Sequence, residues 1–206
     1  ARVTVRASGA LSDMREGFRY IRHETIILFI LIFTLFTFVL SQPYQFLLPI
    51  ITEDILKVGA TGLGILLSVS GIGAMFGSLV IASLPNKKRG ALLLASGLLL
   101  GIALASFAFS RSWYLSVILI AFVGLGTTGR QSIGSILLQS YTRSEYLGRV
   151  MSIYMMEFGL MSLGAFAAGL LTEAVGVEWA LGGFAMVLTI LSVLALVFTP
   201  RLRKLE

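Results

Sequence analysis

Long charge-free apolar runs dominate this chain. Six follow one another: Thr25 to Thr52, Val58 to Asn86, Gly90 to Ser110, Trp113 to about Ser140, about Val150 to Thr172, and Trp179 to Pro200. The fourth is interrupted only by Arg130 and the fifth only by Glu157. A helix needs about 20 apolar residues to cross the ~30 Å hydrocarbon core of a bilayer, and each run is long enough. The pattern predicts an all-α membrane protein with a linker over 1–24, a six-helix transmembrane domain over 25–200 and a tail over 201–206. Inside the linker, Leu11, Met14, Phe18 and Ile21 recur at helical spacing, with Arg15, Arg19 and Arg22 opposite them. That is the pattern of a short amphipathic helix over Leu11 to Arg22, lying along the membrane surface before the first span.

Composition agrees. Of 206 residues 57% are hydrophobic and 13% charged, where a soluble domain carries about a quarter charged residues. The net charge of +6 could suggest a nucleic-acid partner, but its placement gives a simpler account. Arg2, Arg6, Arg15, Arg19 and Arg22, the loop Lys87-Lys88-Arg89, Arg143 and Arg149, and the tail residues Arg201, Arg203 and Lys204 all fall on one side of the predicted membrane. They make thirteen of the sixteen cations; Lys57 and Arg111 lie on the other side and Arg130 inside a span. Positive residues stay on the cytoplasmic side, so both termini are placed in the cytoplasm. Trp113, Tyr114 and Trp179 at outer ends, and Tyr141 and Tyr146 at inner ends, suit interfacial anchors.

The same sequence removes several chemistries. Cys is absent, which excludes disulfides and thiolate sites. The single histidine, His23, lies in the polar N-terminal segment and reads as solvated. A membrane serine protease needs a His within the bilayer, and a metal-dependent one needs clustered His and carboxylates. The chain is therefore read as no enzyme, with no cofactor, no metal and no nucleic-acid partner. The start at Ala1, without Met, reads as part of a longer chain, and processing or trimming would give the same start.

Arg130 and Glu157 carry the functional expectation, because a charge at membrane depth is costly unless paired or hydrated. Arg130 lies 11 residues before the inner end of its span at Tyr141, roughly 16 Å. Glu157 lies 9 residues after Gly148, roughly 14 Å. Two antiparallel helices thus carry opposite charges at one height, either as a coupling device for proton-driven transport or as a structural ion pair. Thr127 and Gln131 lie beside Arg130, and Tyr154 lies one turn from Glu157. Pro43 and Pro49 are expected to kink the first span, with Gln42, Tyr44 and Gln45 either lining a cavity or bonding neighbouring helices. Gly73 and Gly77, Gly97 and Gly101, and Ala165 and Gly169 are small-residue pairs suited to close helix packing.

Ser144-Glu145-Tyr146-Leu147-Gly148-Arg149-Val150-Met151-Ser152 resembles the "ELRGRVMS" stretch that enters the eleventh helix of major facilitator superfamily transporters, with Leu147 where Arg is usual. Met14-Arg15-Glu16-Gly17-Phe18-Arg19-Tyr20 resembles the segment before their seventh helix. The resemblance covers essentially the whole chain and is nearest to enterobactin-exporter-like and drug-efflux-like bacterial members. It implies helices seven to twelve, arranged as 3+3 inverted repeats, half of a 12-helix transporter. It implies a bacterial or archaeal inner membrane, with the third and sixth spans peripheral. The cavity set is then Arg130, Glu157, Gln131, Thr127, Tyr154, Gln42, Tyr44 and Gln45, and the cytoplasmic gating set Lys87, Lys88, Arg89, Glu145 and Arg149. The implied activity is proton-coupled export of small amphipathic molecules by alternating access. The implied partners are a small-molecule substrate, protons, the lipid bilayer, and an N-terminal six-helix half or a second copy of this chain. The competing reading is a non-transporting scaffold or channel subunit.

Overall fold

A computed structural model describes residues 10–83, 88–203 and 205. Lys87 of the expected gating loop lies outside the described residues, as do Arg2, Arg6 and Lys204. The side chains of Leu11, Met14, Arg15 and Arg201 lie outside them too. Helix α1 (Ala10–His23) precedes the first span, which is α2 (Thr25–Ser41), α3 (Pro43–Ile50) and a π-wound turn Ile51–Ile55. The other spans are α4 (Gly59–Ser83), α5 (Arg89–Ala108), α6 (Trp113–Tyr141), then α7 (Leu147–Met155) with a 3₁₀ turn Met156–Leu160 and α8 (Met161–Val175), and finally α9 (Val177–Phe198). A last turn, α10, spans Pro200–Arg203. All six are long and apolar enough to cross a membrane, and large apolar side chains such as Phe36, Phe76, Ile118 and Phe166 face outward.

The neighbour pattern carries the internal repeat. Span 2 packs on span 4 as span 5 packs on span 1, span 3 packs on span 4 as span 6 packs on span 1, and spans 3 and 6 pack on each other. Exchanging spans 1–3 with 4–6 preserves these neighbours, while the packing of span 5 on span 6 has no counterpart of similar extent between spans 2 and 3. Spans 1 and 4 run in opposite directions, so the relation is an inverted repeat, the construction of half a 12-helix transporter. Half of the apolar stretch of spans 1 and 3 is buried, against 17% for span 2 and 11% for span 5. The third span is thus enclosed within this half, between α6, α9 and α2.

Proline places the break in the first span. Pro43 lacks the N–H to continue α2, so the helix stops at Ser41 and restarts with Pro43 in the first turn of α3. Pro49 removes another donor, and the π-wound turn follows it. Glycines set the α4–α6 seam: a Cβ on Gly73 would overlap the Ala121 carbonyl, and one on Gly124 the Ser70 carbonyl. Gly97 meets Phe33 and Ser192, and Gly101 meets Thr189 of α9. The fifth span differs from expectation. Gly169 has nothing near it, whereas Gly164 and Ala168 are the buried pair, with Gly164 against Val39 and Pro43. The packing seam lies one residue, about 100° of helix, from the expected Ala165–Gly169 pair. The tail also folds back: Leu202 and Leu205 are buried, and the Gly90 N–H donates to the Leu205 carbonyl.

Candidate functional site

Two apolar cores form, one around Leu48, Leu104 and Ile120, the other around Ile30, Leu94 and Leu137. Arg130 and Glu157 belong to neither, and are 1% and 2% exposed. Arg130 comes from α6, where Gly126 and Gly129 bring α5 close at Leu100 and Ser96. Its Nη1 donates to the Thr34 carbonyl of α2 at 3.1 Å. The same nitrogen stands 3.5 Å from Glu157 Oε2, and the guanidinium lies over the Phe38 ring, 5.4 Å from its centroid. Arg130 Nε and both Glu157 carboxylate oxygens lack a hydrogen-bond partner among the described residues. A buried carboxylate held by charge alone keeps its full capacity to accept a proton or a donor.

Glu157 sits on the 3₁₀ turn Met156–Leu160 that interrupts the fifth span. Tightened winding inside a long helix marks a hinge or strain. Here it lets Phe158 meet Phe38 edge-on at 5.2 Å while Tyr154, one turn inward, donates its hydroxyl to the Gln131 carbonyl at 3.2 Å. The pair is therefore a junction of three spans, with Arg130 tied to α2 by a hydrogen bond and to the fifth span by charge.

The other expected cavity residues spread out. Gln131 exposes its side chain, and Thr127 Oγ1 returns to the Val123 carbonyl. Gln42 donates to Met161 Sδ at 3.9 Å, across to α8. Tyr44 is buried in the core around Leu48, and Gln45 is exposed with its Nε2 3.4 Å from the Tyr44 hydroxyl. Sequence reading missed Ser135 and Gln139, which continue the face of Gln131 at four-residue spacing and are joined by a 2.9 Å hydrogen bond. Extending that spacing from Gln131 would have found them.

At the end of the bundle that carries α1, this helix grips the start of α7. Tyr20 stacks on Tyr146, centroids 4.2 Å apart and planes 3° from parallel. Arg149 pairs with Glu16 at 2.6 Å and lies over the Tyr146 ring, and the Arg143 N–H donates to the Tyr20 hydroxyl at 3.2 Å. Of the expected gating residues that are described, Arg149 alone enters this clasp. Glu145 and Lys88 are exposed, Lys88 with φ 59° at the start of α5 beside half-buried Arg89. Beneath the clasp an open groove of about 990 Å³ runs between α1, α2 and the fifth span, with Glu157 and Tyr154 along it.

Residues 3–206 match the family described as transmembrane secretion effector. The chain is 26% identical over 202 residues to macrolide efflux protein A of Streptococcus pyogenes, covering 95% of this chain and 49% of that protein. It is 27% identical over 206 residues to the multidrug efflux pump Tap of Mycolicibacterium fortuitum, covering 98% of this chain and 50% of that one. The chain spans about half the length of these curated relatives.

Proposed function

The chain belongs to the transmembrane secretion effector family of major facilitator transporters, and from that premise we propose that it forms the cavity-bearing half of a proton-coupled exporter of small amphipathic molecules. The observation that carries this reading is the buried Arg130–Glu157 pair, whose carboxylate oxygens accept no hydrogen bond among the described residues. A proton taken up by Glu157 cancels the charge that ties the fifth span to α6, while Arg130 keeps its bond to Thr34. Protonation thus frees one span and leaves the other fixed, with the 3₁₀ turn as the hinge. A polar group of a substrate that reaches the pair competes for the same two charges, which couples substrate to proton. Gln131, Ser135 and Gln139 line the approach on α6, and the clasp at Arg149 is the inner gate. The sparsely buried spans 2 and 5 meet a second six-helix half, from the same chain or a second copy.

The test is Glu157→Gln, which keeps the shape and removes the proton site. In vesicles of the complete transporter with an imposed pH gradient, this variant is expected to reconstitute normally and to lose at least tenfold of gradient-driven dye efflux. Wild-type efflux by Glu157→Gln would end the proton role of the pair. Membrane orientation has an equally direct check, because the chain has no Cys. Arg111→Cys should react with an impermeant maleimide in intact cells, and Ser144→Cys only after permeabilisation. The reverse order would invert the proposed cytoplasmic placement of both termini.

A further inference from the structure

The groove between α1, α2 and the fifth span has two chemically distinct parts. Its long wall is apolar: Leu28, Leu31, Ile32 and Leu35 on one side, Met156 and Leu160 on the other. Its rim is basic, with Arg19, Arg22 and His23 all facing the opening. Among the described residues Arg19, Arg22 and His23 carry no ion pair, and the two arginines are the rim's cations. Of the described carboxylates on α1, at its end and in the groove wall, Glu16 is taken by Arg149, Glu157 by Arg130, and Glu24 is half-buried at the break between α1 and α2. The Tyr20–Tyr146 stack and the Glu16–Arg149 pair fix α1, so the rim cations are held over the groove rather than swinging free on a linker.

The groove offers about 990 Å³ of space beside two segments apolar enough to cross a membrane. Water gains little from walls of leucine, isoleucine and methionine, which offer it few hydrogen bonds. The bilayer supplies an apolar filler, the acyl chain, and the rim then selects its headgroup, since each interfacial Lys or Arg favours an anionic lipid. We propose that the groove binds an anionic phospholipid from the leaflet at whose surface α1 lies. Its phosphate sits on Arg19, Arg22 and His23, and one acyl chain lies along α2 toward Glu157. The chain seals the groove side of the Arg130–Glu157 pair, so water reaches the carboxylate only from elsewhere. The site stands apart from the transport reading: it requires α1 at a membrane surface and makes no use of flux.

Native mass spectrometry of the purified full-length transporter tests it, with dioleoyl phosphatidylglycerol and dioleoyl phosphatidylethanolamine added in turn. Wild type should retain one phosphatidylglycerol in preference to phosphatidylethanolamine. Arg19→Gln/Arg22→Gln should lower phosphatidylglycerol occupancy about tenfold or more, as two interfacial cations would. Arg19→Lys/Arg22→Lys keeps the charges and should keep the preference, which separates charge loss from damage to α1. Ile32→Trp narrows the groove and should weaken retention of both lipids. Inorganic phosphate at millimolar concentration should not displace the lipid. The proposal is overturned by an equal response to the two lipids, by a preference that survives Arg19→Gln/Arg22→Gln, by indifference to Ile32→Trp, or by displacement with phosphate.

Discussion

Arg130→Met should lower the melting temperature of the detergent-purified protein by about 10 °C, whereas Arg130→Met/Glu157→Met should recover most of that loss and still fail to transport. The single change leaves a carboxylate that is 2% exposed without the cation that pairs with it among the described residues. Breaking a buried pair from one side costs about 3–5 kcal/mol, and about 1 kcal/mol moves the melting point of a domain this size by about 2–4 °C. The double change removes both charges and fills the space with apolar atoms, which is often neutral or stabilising at a buried pair. Stability and transport therefore separate. A structural pair predicts that the double variant regains efflux together with its melting temperature. A coupling pair predicts a well-folded protein with no gradient-driven flux, read in vesicles beside the wild type. Full efflux from the stable double variant would remove the pair from the mechanism.

That pair was legible in the sequence because charge at membrane depth is rare and helical rise converts residue number into height. Six long apolar runs, charge-free except for Arg130 and Glu157, likewise marked the six spans to within a few residues, and Pro43 marked the break in the first. Helix facing was not legible. A membrane helix is apolar all round, so no periodic contrast distinguishes Gly164 and Ala168, which pack, from Ala165 and Gly169, one residue on. Contacts between distant loops were hidden for a different reason. Tyr20 and Tyr146 are 126 residues apart, and nothing local to either predicts a stack. The same holds for Leu205, whose burial against the start of α5 depends on where α9 ends. Side-chain direction was equally hidden among the polar residues of the expected cavity set: Tyr44 is buried among apolar side chains, and Thr127 bonds back to its own helix turn.

The seam between α4 and α6 gives the sharpest contrast available within one helix. Gly71 and Gly73 are two residues apart on α4, but a Cβ on Gly71 meets nothing within 4 Å while one on Gly73 would overlap the Ala121 carbonyl of α6. Helix propensity alone favours alanine over glycine by about 1 kcal/mol at either position. Gly71→Ala should therefore be neutral or mildly stabilising. Gly73→Ala should be destabilising by about 3 kcal/mol or more, because its clash is with backbone, which cannot rotate aside, and overpacking a tight contact costs about 1–3 kcal/mol even where side chains can yield. Gly124→Ala should behave in the same way against the Ser70 carbonyl, and the Gly73→Ala/Gly124→Ala double should be no better than either single, since each methyl pushes the same two helices apart. Span 2 has no second buried face to fall back on: its buried residues are Gly62, Leu66, Gly73 and Gly77, a single stripe. Losing that stripe should detach the span, so the expected readout for Gly73→Val is a collapse of monodisperse protein after extraction, beside a normal yield for Gly71→Ala. Equal yields and melting points for Gly71→Ala and Gly73→Ala would mean that α4 and α6 do not approach through these glycines, and the close crossing that sets the height of Arg130 on α6 would have to be abandoned.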